Sequence, residues 1–338
     1  MLRGARFLLL AFVIPTTSAF CQDTAHPEQI FKVDVNLVVV DAQVLNKKTH
    51  QPISALQAQD FLLFESGVRQ QIASVSQDKL PLSVVFLFDL TDSVRPVLES
   101  LGNGALQALE HLKPEDEAAV MVYAASAKLL QDFTRDRQLI VKAIRKAAHM
   151  ESPEAAFFNE GIFQAAAQAG KAGNHGRRVI IWLTDNVPNI PSEEIRRQYG
   201  RSIPEGGLHT EREAFTRLFK TGTAVFTLLQ RSDISESEWM RKFHDPMEML
   251  YRLQFPPGDV YKYTQQTGGQ VLESYSSKKI SAKMAELIDQ IRTRYALGYR
   301  PIADSQTGKF REIKLEVAPE VQKREGKVTI ETRRGYYR

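Results

Sequence analysis

A single cysteine, Cys21, is the whole thiol content of the 338-residue chain, so no internal disulfide is possible and the fold rests on its apolar core. No phosphate-binding loop of the form Gly-x4-Gly-Lys-Ser/Thr occurs: Gly170-Lys171 is followed by Ala172. No Gly-x-Ser-x-Gly elbow occurs either. His111, His149, His175, His209 and His244 lack metal-ligand spacing, which leaves them surface or helix-end roles. Beyond the first 21 residues no apolar run reaches the length of a membrane helix. Internal repeats and low-complexity tracts are missing too. These absences exclude a P-loop hydrolase, an elbow-type serine hydrolase, a histidine-built zinc site and a disulfide-stapled scaffold.

Hydrophobic content of 43% and charged content of 25% are those of a globular protein, and the length allows two or more domains. The net charge of +4 is a small excess, carried in part by the stretch from Lys323 to Arg334, and implies solubility rather than a nucleic-acid partner. The N-terminus has the pattern of a secretion signal over residues 1–21. Arg3 and Arg6 precede the apolar Phe7 to Ile14, Pro15 breaks the run, and Ala19-Phe20-Cys21 offers a cleavage site. The expectation is a secreted or periplasmic, envelope-associated protein. Lipidation at Cys21 is the alternative, with Phe20 an ill-suited neighbour.

Three regions follow. Residues 30–78 read as β: Phe31, Val33, Val35, Leu37 and Val39 alternate with polar residues, and Asp60–Glu65, Ser66-Gly67 and Arg69–Val75 read as a hairpin. Residues 81–292 alternate apolar strands with amphipathic helices, the pattern of a doubly wound, mostly parallel α/β sheet. Strands are expected at 83–89, 118–124, 128–132, 179–184, 223–229 and 269–273. Helices are expected from Val94 to Leu112, capped by Ser93, and from Ile280 to Ile291. Residues 294–338 return to β, with too few strands for an independent sheet. They are expected to pair with 30–78, making a small β-sandwich into which the α/β domain is inserted.

Two of the α/β strands end in chemistry. Asp89-Leu90-Thr91-Asp92-Ser93 follows the apolar run 83–88, and Asp185 closes 179–184. Carboxylates and hydroxyls at the carboxyl ends of parallel strands are the oxygen donors a hard cation prefers, at the edge where open α/β sheets bind ligands. Asp92 alone reads as an acid at a helix N-terminus.

With these elements in place, residues 81–292 resemble a von Willebrand factor type A domain. Asp89-Leu90-Thr91-Asp92-Ser93 matches the family's Asp-x-Ser-x-Ser loop, and Thr184-Asp185-Asn186 its Thr-Asp-Gly strand end. The flanks resemble a bacterial secreted branch, through Asp60-Phe61, Phe64-Glu65-Ser66-Gly67, Tyr295-Ala296-Leu297-Gly298-Tyr299 and Gly335-Tyr336-Tyr337. The resemblance implies a metal-ion-dependent adhesion site for Mg²⁺ or Mn²⁺. Thr91 and Ser93 would ligate the ion, and Asp89 and Asp185 would ligate it or accept hydrogen bonds from its waters. A partner protein's acidic side chain would complete the shell. Three positions depart from the family pattern: Thr91 for serine, Asn186 for glycine, and Ala156 where a ligating threonine is usual. The last makes the expected site degenerate.

The function that follows is a non-catalytic, exported protein-interaction module. An envelope scaffold with an inert α/β domain is the alternative. A Mg²⁺-dependent phosphatase-like hydrolase using Asp89 is a further one, weakened by Thr91 standing where such enzymes carry a second aspartate.

Overall fold

The computed structural model describes residues 37–77, 80–91, 94–150, 157–173, 176–186, 209–230, 259–276, 279–302 and 308–337. The expected leader 1–21, Asp92, Ser93, Ala156, His175, His244 and the stretches 187–208 and 231–258 lie outside the described residues.

Strand β1 (Val38–Asn46) opens the sandwich. Its inward residues are Val40, Ala42 and Val44, all fully buried, while Leu37 and Val39 are each 39% exposed. The alternation read at Leu37 and Val39 is therefore on the outer face. Leu37 to Val40 is apolar on both faces, so a two-residue period cannot choose between them; the partner sheet does. The hairpin is shorter than expected. β2 (Phe61–Glu65) turns through Ser66 and Gly67, both at positive φ, into β3 (Val68–Gln70). The chain then breaks at Gln71 and continues as β4 (Ile72–Gln77), which belongs to the other sheet.

The α/β region runs β5 (Leu82–Asp89), α1 (Arg95–Glu110), β6 (Glu117–Tyr123), β7 (Ala127–Thr134), α2 (Arg137–Ala148), α3 (Phe158–Ala169) and β8 (Arg177–Thr184). It continues through α4 (Glu211–Thr221), β9 (Ala224–Gln230), α5 (Val260–Thr267), β10 (Val271–Ser274) and α6 (Ile280–Arg292). The strand order is β10-β9-β8-β5-β6-β7, parallel throughout except at β6–β7. The link from Tyr123 to Ala127 is too short for a crossover, so β7 must return antiparallel. Every residue of β5 is buried. Val84, Phe86 and Phe88 enter the core shared with α1, α2 and α6; Val85 and Leu87 enter the core shared with α3, α4 and α5. This two-sided burial, about 1.5–3 kcal/mol for each large apolar side chain, explains why the strand reads as a continuous apolar run. Helix α1 begins after Val94, its N-cap residue, which makes no side-chain cap, with Pro96 in its first turn; the expected cap Ser93 lies outside the described residues.

The chain closes with β11 (Tyr295–Tyr299), β12 (Phe310–Val317), α7 (Pro319–Glu325), β13 (Val328–Thr332) and β14 (Gly335–Tyr337). Helix α7 was not expected within a β segment; Pro319 starts it and Gly326, at φ 80°, stops it. The two ends of the chain form two sheets, β13-β1-β11-β4 and β14-β12-β2-β3, around a common core that includes Val40, Leu63, Leu297, Leu315 and Tyr336. The strands entering and leaving the α/β region, β4 and β11, pair antiparallel, with Val75 opposite Leu297. Arg177 fastens the two regions: its Nε donates to Asp41 Oδ1 on β1 (2.8 Å), and its terminal nitrogens donate to the carbonyls of Ile291 (2.8 Å) and Arg294 (3.2 Å). Among the described residues no helix is long and apolar enough to cross a membrane.

Candidate functional site at the carboxyl edge of the sheet

β5, β6 and β8 are adjacent and in register, with Asp89 opposite Tyr123 and Phe88 opposite Leu183. That register brings Asp89, Tyr123 and Thr184 to the same edge. Asp89 is fully buried. Its Oδ1 accepts hydrogen bonds from the Thr91 N–H (3.0 Å) and the Thr91 hydroxyl (2.7 Å). Its Oδ2 accepts from the Tyr123 hydroxyl (2.8 Å) and the Thr184 hydroxyl (2.7 Å). The indole N–H of Trp182 in turn donates to the Tyr123 oxygen (2.9 Å). The result is a directed relay from Trp182 through Tyr123 to Asp89.

The surroundings fix these groups. Tyr123, Phe158 and Trp182 meet edge to face, and Tyr263 adds a further ring to Trp182. Helix α3 lies so close to Tyr123 that a Cβ at Gly161 would stand 2.7 Å from its ring, so only glycine fits. The Thr184 hydroxyl also accepts the Asn186 N–H (3.1 Å). Asn186 has φ 58°, the left-handed conformation that glycine or asparagine takes most readily, which explains this substitution in the Thr-Asp-Gly pattern.

Burial pushes the Asp89 carboxyl above its ordinary value, and the hydrogen bonds from Thr91, Thr184 and Tyr123 pull it back. Burial, then the adjacent Asp89 charge, holds the Tyr123 hydroxyl well above its ordinary value, so it remains a proton donor. Among the described residues no cation pairs with Asp89. A carboxylate with about four acceptor positions, all taken by protein donors, is balanced by dipoles alone. It is also withdrawn from solvent, a poor posture for a nucleophile.

Of the residues singled out in the sequence, Asp89 and Thr91 meet directly, and Asp185 follows Thr184 at the end of the neighbouring strand. Ser93 and Ala156 lie outside the described residues. Tyr123 and Trp182 were missed. Both sit in continuous apolar strands and read as core; only the register of β6 against β5 shows that Tyr123 faces an acid. His209 lies at a helix end, just before α4, where its Nδ1 is 2.6 Å from Glu160 Oε2 and its ring stacks on Phe163.

Among the described residues no group of three or more His, Cys, Asp or Glu side chains converges on one point. A cation at this edge would therefore rely on hydroxyl oxygens. Thr91 and Thr184 each donate their single hydroxyl hydrogen to Asp89, so each oxygen faces other groups as an acceptor, and the Thr184 oxygen already accepts the Asn186 N–H. The donor chemistry suits Mg²⁺ or Mn²⁺, with Thr91 and Thr184 as ligands, Asp89 orienting them and Asp185 at hand, but these fall short of the roughly six oxygens Mg²⁺ takes.

A family model for the von Willebrand factor type A domain matches residues 84–187. No curated protein matches the chain. Among solved structures, the PilB minor pilin from Streptococcus sanguinis is similar at 12% identity and a TM-score of 0.44, covering 64% of this chain and 62% of that one. The chain thus spans under two thirds of that pilin's length. A von Willebrand factor type A protein from Catenulispora acidiphila is similar at 9% identity and a TM-score of 0.42, covering 79% and 72%. The vWF domain of the type V pili tip protein Mfa5 from Porphyromonas gingivalis is similar at 11% identity and a TM-score of 0.40, covering 63% and 95%. Likenesses this distant bear on neither partner nor activity. The family match runs from within β5 to just past β8, the segment that builds the Asp89 cluster, and over those residues the chain is similar to a von Willebrand factor type A domain.

Proposed function

We propose that this is an exported protein-binding protein whose partner docks on the carboxyl edge of the α/β sheet, around Asp89, Thr91, Ser93 and Asp185. In this reading the edge carries a degenerate metal-ion-dependent adhesion site, and it performs no catalysis. The observation that carries the reading is the Asp89 cluster: a buried acid that takes the hydroxyl hydrogens of two threonines at the sheet edge, so that their oxygens meet any further partner as acceptors. An ion held there draws only part of its shell from the protein and accepts a partner's acidic side chain for the remainder. The leader-like residues 1–21 support export.

Isothermal titration with MgCl₂ and MnCl₂ on the wild type, Thr91→Ala and Asp185→Ala tests the metal part. Weak saturable heats that vanish in Thr91→Ala are expected; indistinguishable heats in all three proteins sink it. Capture of envelope proteins by the wild type and by Asp185→Arg tests the docking edge, with loss of a partner in the variant as the expected result.

A second reading, an envelope scaffold with an inert α/β domain, draws support from the completeness of Asp89's internal hydrogen bonding. It predicts that a partner survives Asp185→Arg and is lost in Val68→Asp, on the sandwich, where Val68 is 53% exposed.

A further inference from the structure

A cavity of about 360 Å³ lies at the opposite end of β8 from Thr184, where the amino ends of β8 and β9 and the tail of α4 meet β1 and β14. Its charge is one-sided. Arg177, Arg178, Lys220 and Arg333 line it, against Asp41 as the acid of the lining. Arg177 is occupied: its Nε pairs with Asp41 at 2.8 Å and its other nitrogens hold backbone carbonyls. The other three cations have no carboxylate within ion-pair distance among the described residues.

Two of them are held in place by one bond each. Arg178 Nη1 donates to the Thr221 carbonyl (3.1 Å), and Arg333 Nη2 donates to the Val39 carbonyl (2.7 Å). In both guanidinium groups the Nε–H is buried and meets no acceptor among the described residues. Buried donors are nearly always paired, so two orphans on the walls of one cavity point to an acceptor that enters it. Burial also lowers the Arg333 pKa, with Asp41 opposing; an anion alongside would reverse that shift.

The remaining lining is apolar and aromatic. Phe219 on α4 and Tyr337 on β14 both pack against Phe310, and Lys220 lies 6.0 Å from the Tyr337 ring centre. Leu37 and Val39, whose outward orientation the sandwich core leaves unexplained, complete this wall. At about 360 Å³ the cavity is at the low end of small-molecule sites, roughly 300–1,000 Å³.

We propose that this junction cavity binds a small oxyanion carrying an apolar, preferably aromatic, body. The carboxylate or phosphate head is held by Arg178 and Arg333 with Lys220 at the mouth, and the body lies against Phe219, Tyr336 and Tyr337. Planar guanidinium groups suit carboxylate and phosphate oxygens, and a head group that engages both buried Nε–H groups gains charge-assisted hydrogen bonds. The site is separate from the sheet's carboxyl edge and does not depend on the function proposed for it.

The test is calorimetric titration of the full chain with benzoate, phenyl phosphate, inorganic phosphate and benzyl alcohol. Saturable binding of at least one aromatic anion is expected. Inorganic phosphate, which lacks the body, and benzyl alcohol, which lacks the charge, are each expected to bind about tenfold or more weakly. Arg178→Gln is expected to weaken the aromatic anion by about tenfold and Lys220→Gln by about threefold, with unchanged circular dichroism. Lys220 is exposed, so its variant keeps the test valid if Arg178→Gln does not fold. The proposal is overturned if neither aromatic anion saturates, if inorganic phosphate or benzyl alcohol binds as well, or if both variants bind like the wild type.

Discussion

Among the described residues two carboxylates are buried under tyrosine hydroxyls, and they differ in one partner. In the sandwich, Glu65 accepts from Tyr299 (2.5 Å) and Tyr336 (3.1 Å) and faces Arg311 Nη1 at 3.5 Å. In the α/β domain, Asp89 accepts from Tyr123, Thr184 and Thr91 and, among the described residues, pairs with no cation. Glu65 has its charge balanced inside the protein, which suits a group that fastens two sheets together. Asp89 has its charge balanced only by dipoles, so added positive charge at its edge of the sheet still finds it attractive. The same residue chemistry thus serves cohesion in one region and leaves an unsettled charge in the other.

Deleting the carboxylate gives the largest expected effect. Asp89→Ala removes the acceptor of two buried hydroxyls, those of Thr184 and Tyr123, and of the half-buried Thr91 hydroxyl, and is expected to cost about 3–5 kcal/mol in urea denaturation. Neutralising each acid sharpens the contrast. Glu65→Gln leaves the Arg311 guanidinium facing a neutral amide and is expected to cost about 2–3 kcal/mol. Asp89→Asn keeps an acceptor toward Thr91 and offers an amide to hydroxyls that can rotate, so about 1 kcal/mol is expected. Equal losses in the two variants would break the comparison.

Tyr123→Phe removes one donor from Asp89 and the acceptor of the Trp182 indole, for an expected loss of about 1–2 kcal/mol. It should also alter tryptophan fluorescence, since the indole N–H loses its partner. Unchanged emission and stability would remove Tyr123 from the cluster.

The smallest effect concerns pH. Burial raises the Asp89 pKa in the folded state above its ordinary 3.8. A raised carboxyl contributes stability that is full below the unfolded value and is lost as pH climbs through the folded one. The stability of the wild type relative to Asp89→Asn is therefore expected to fall as pH rises from below 3.8 toward neutrality. Denaturation midpoints of both proteins across that interval measure it, and a flat difference would contradict it.

Much of the central sheet is visible in the primary structure because β5 and β8 are buried on both faces, which forces runs such as Val84 to Phe88 and Val179 to Leu183. Asp89 and Asp185 stand out because they end those runs. The sandwich is less legible. Leu37 to Val40 is apolar at every position, so the buried face of β1 could not be read, and nothing local at Gln71 announces that the chain changes sheet. Helix α7 is seven residues long, with one fully buried side chain, Val321, too little for a periodic pattern. Tyr123 and Trp182 stayed hidden because a hydroxyl or an indole N–H inside an apolar strand looks like core until its neighbour is known.

Local sequence determined the element types, the two-sided burial of the inner strands and the presence of acid and hydroxyl at their ends, because these follow from side-chain periodicity and from what can be buried. Only the tertiary structure decided what each polar group meets. Strand register set Tyr123 and Thr184 on Asp89, and the packing of the sandwich on the amino end of β8 enclosed Arg178 and Arg333 around one cavity. Both outcomes rest on contacts between residues distant in the chain, and the pattern along a single strand carries no information about its partner.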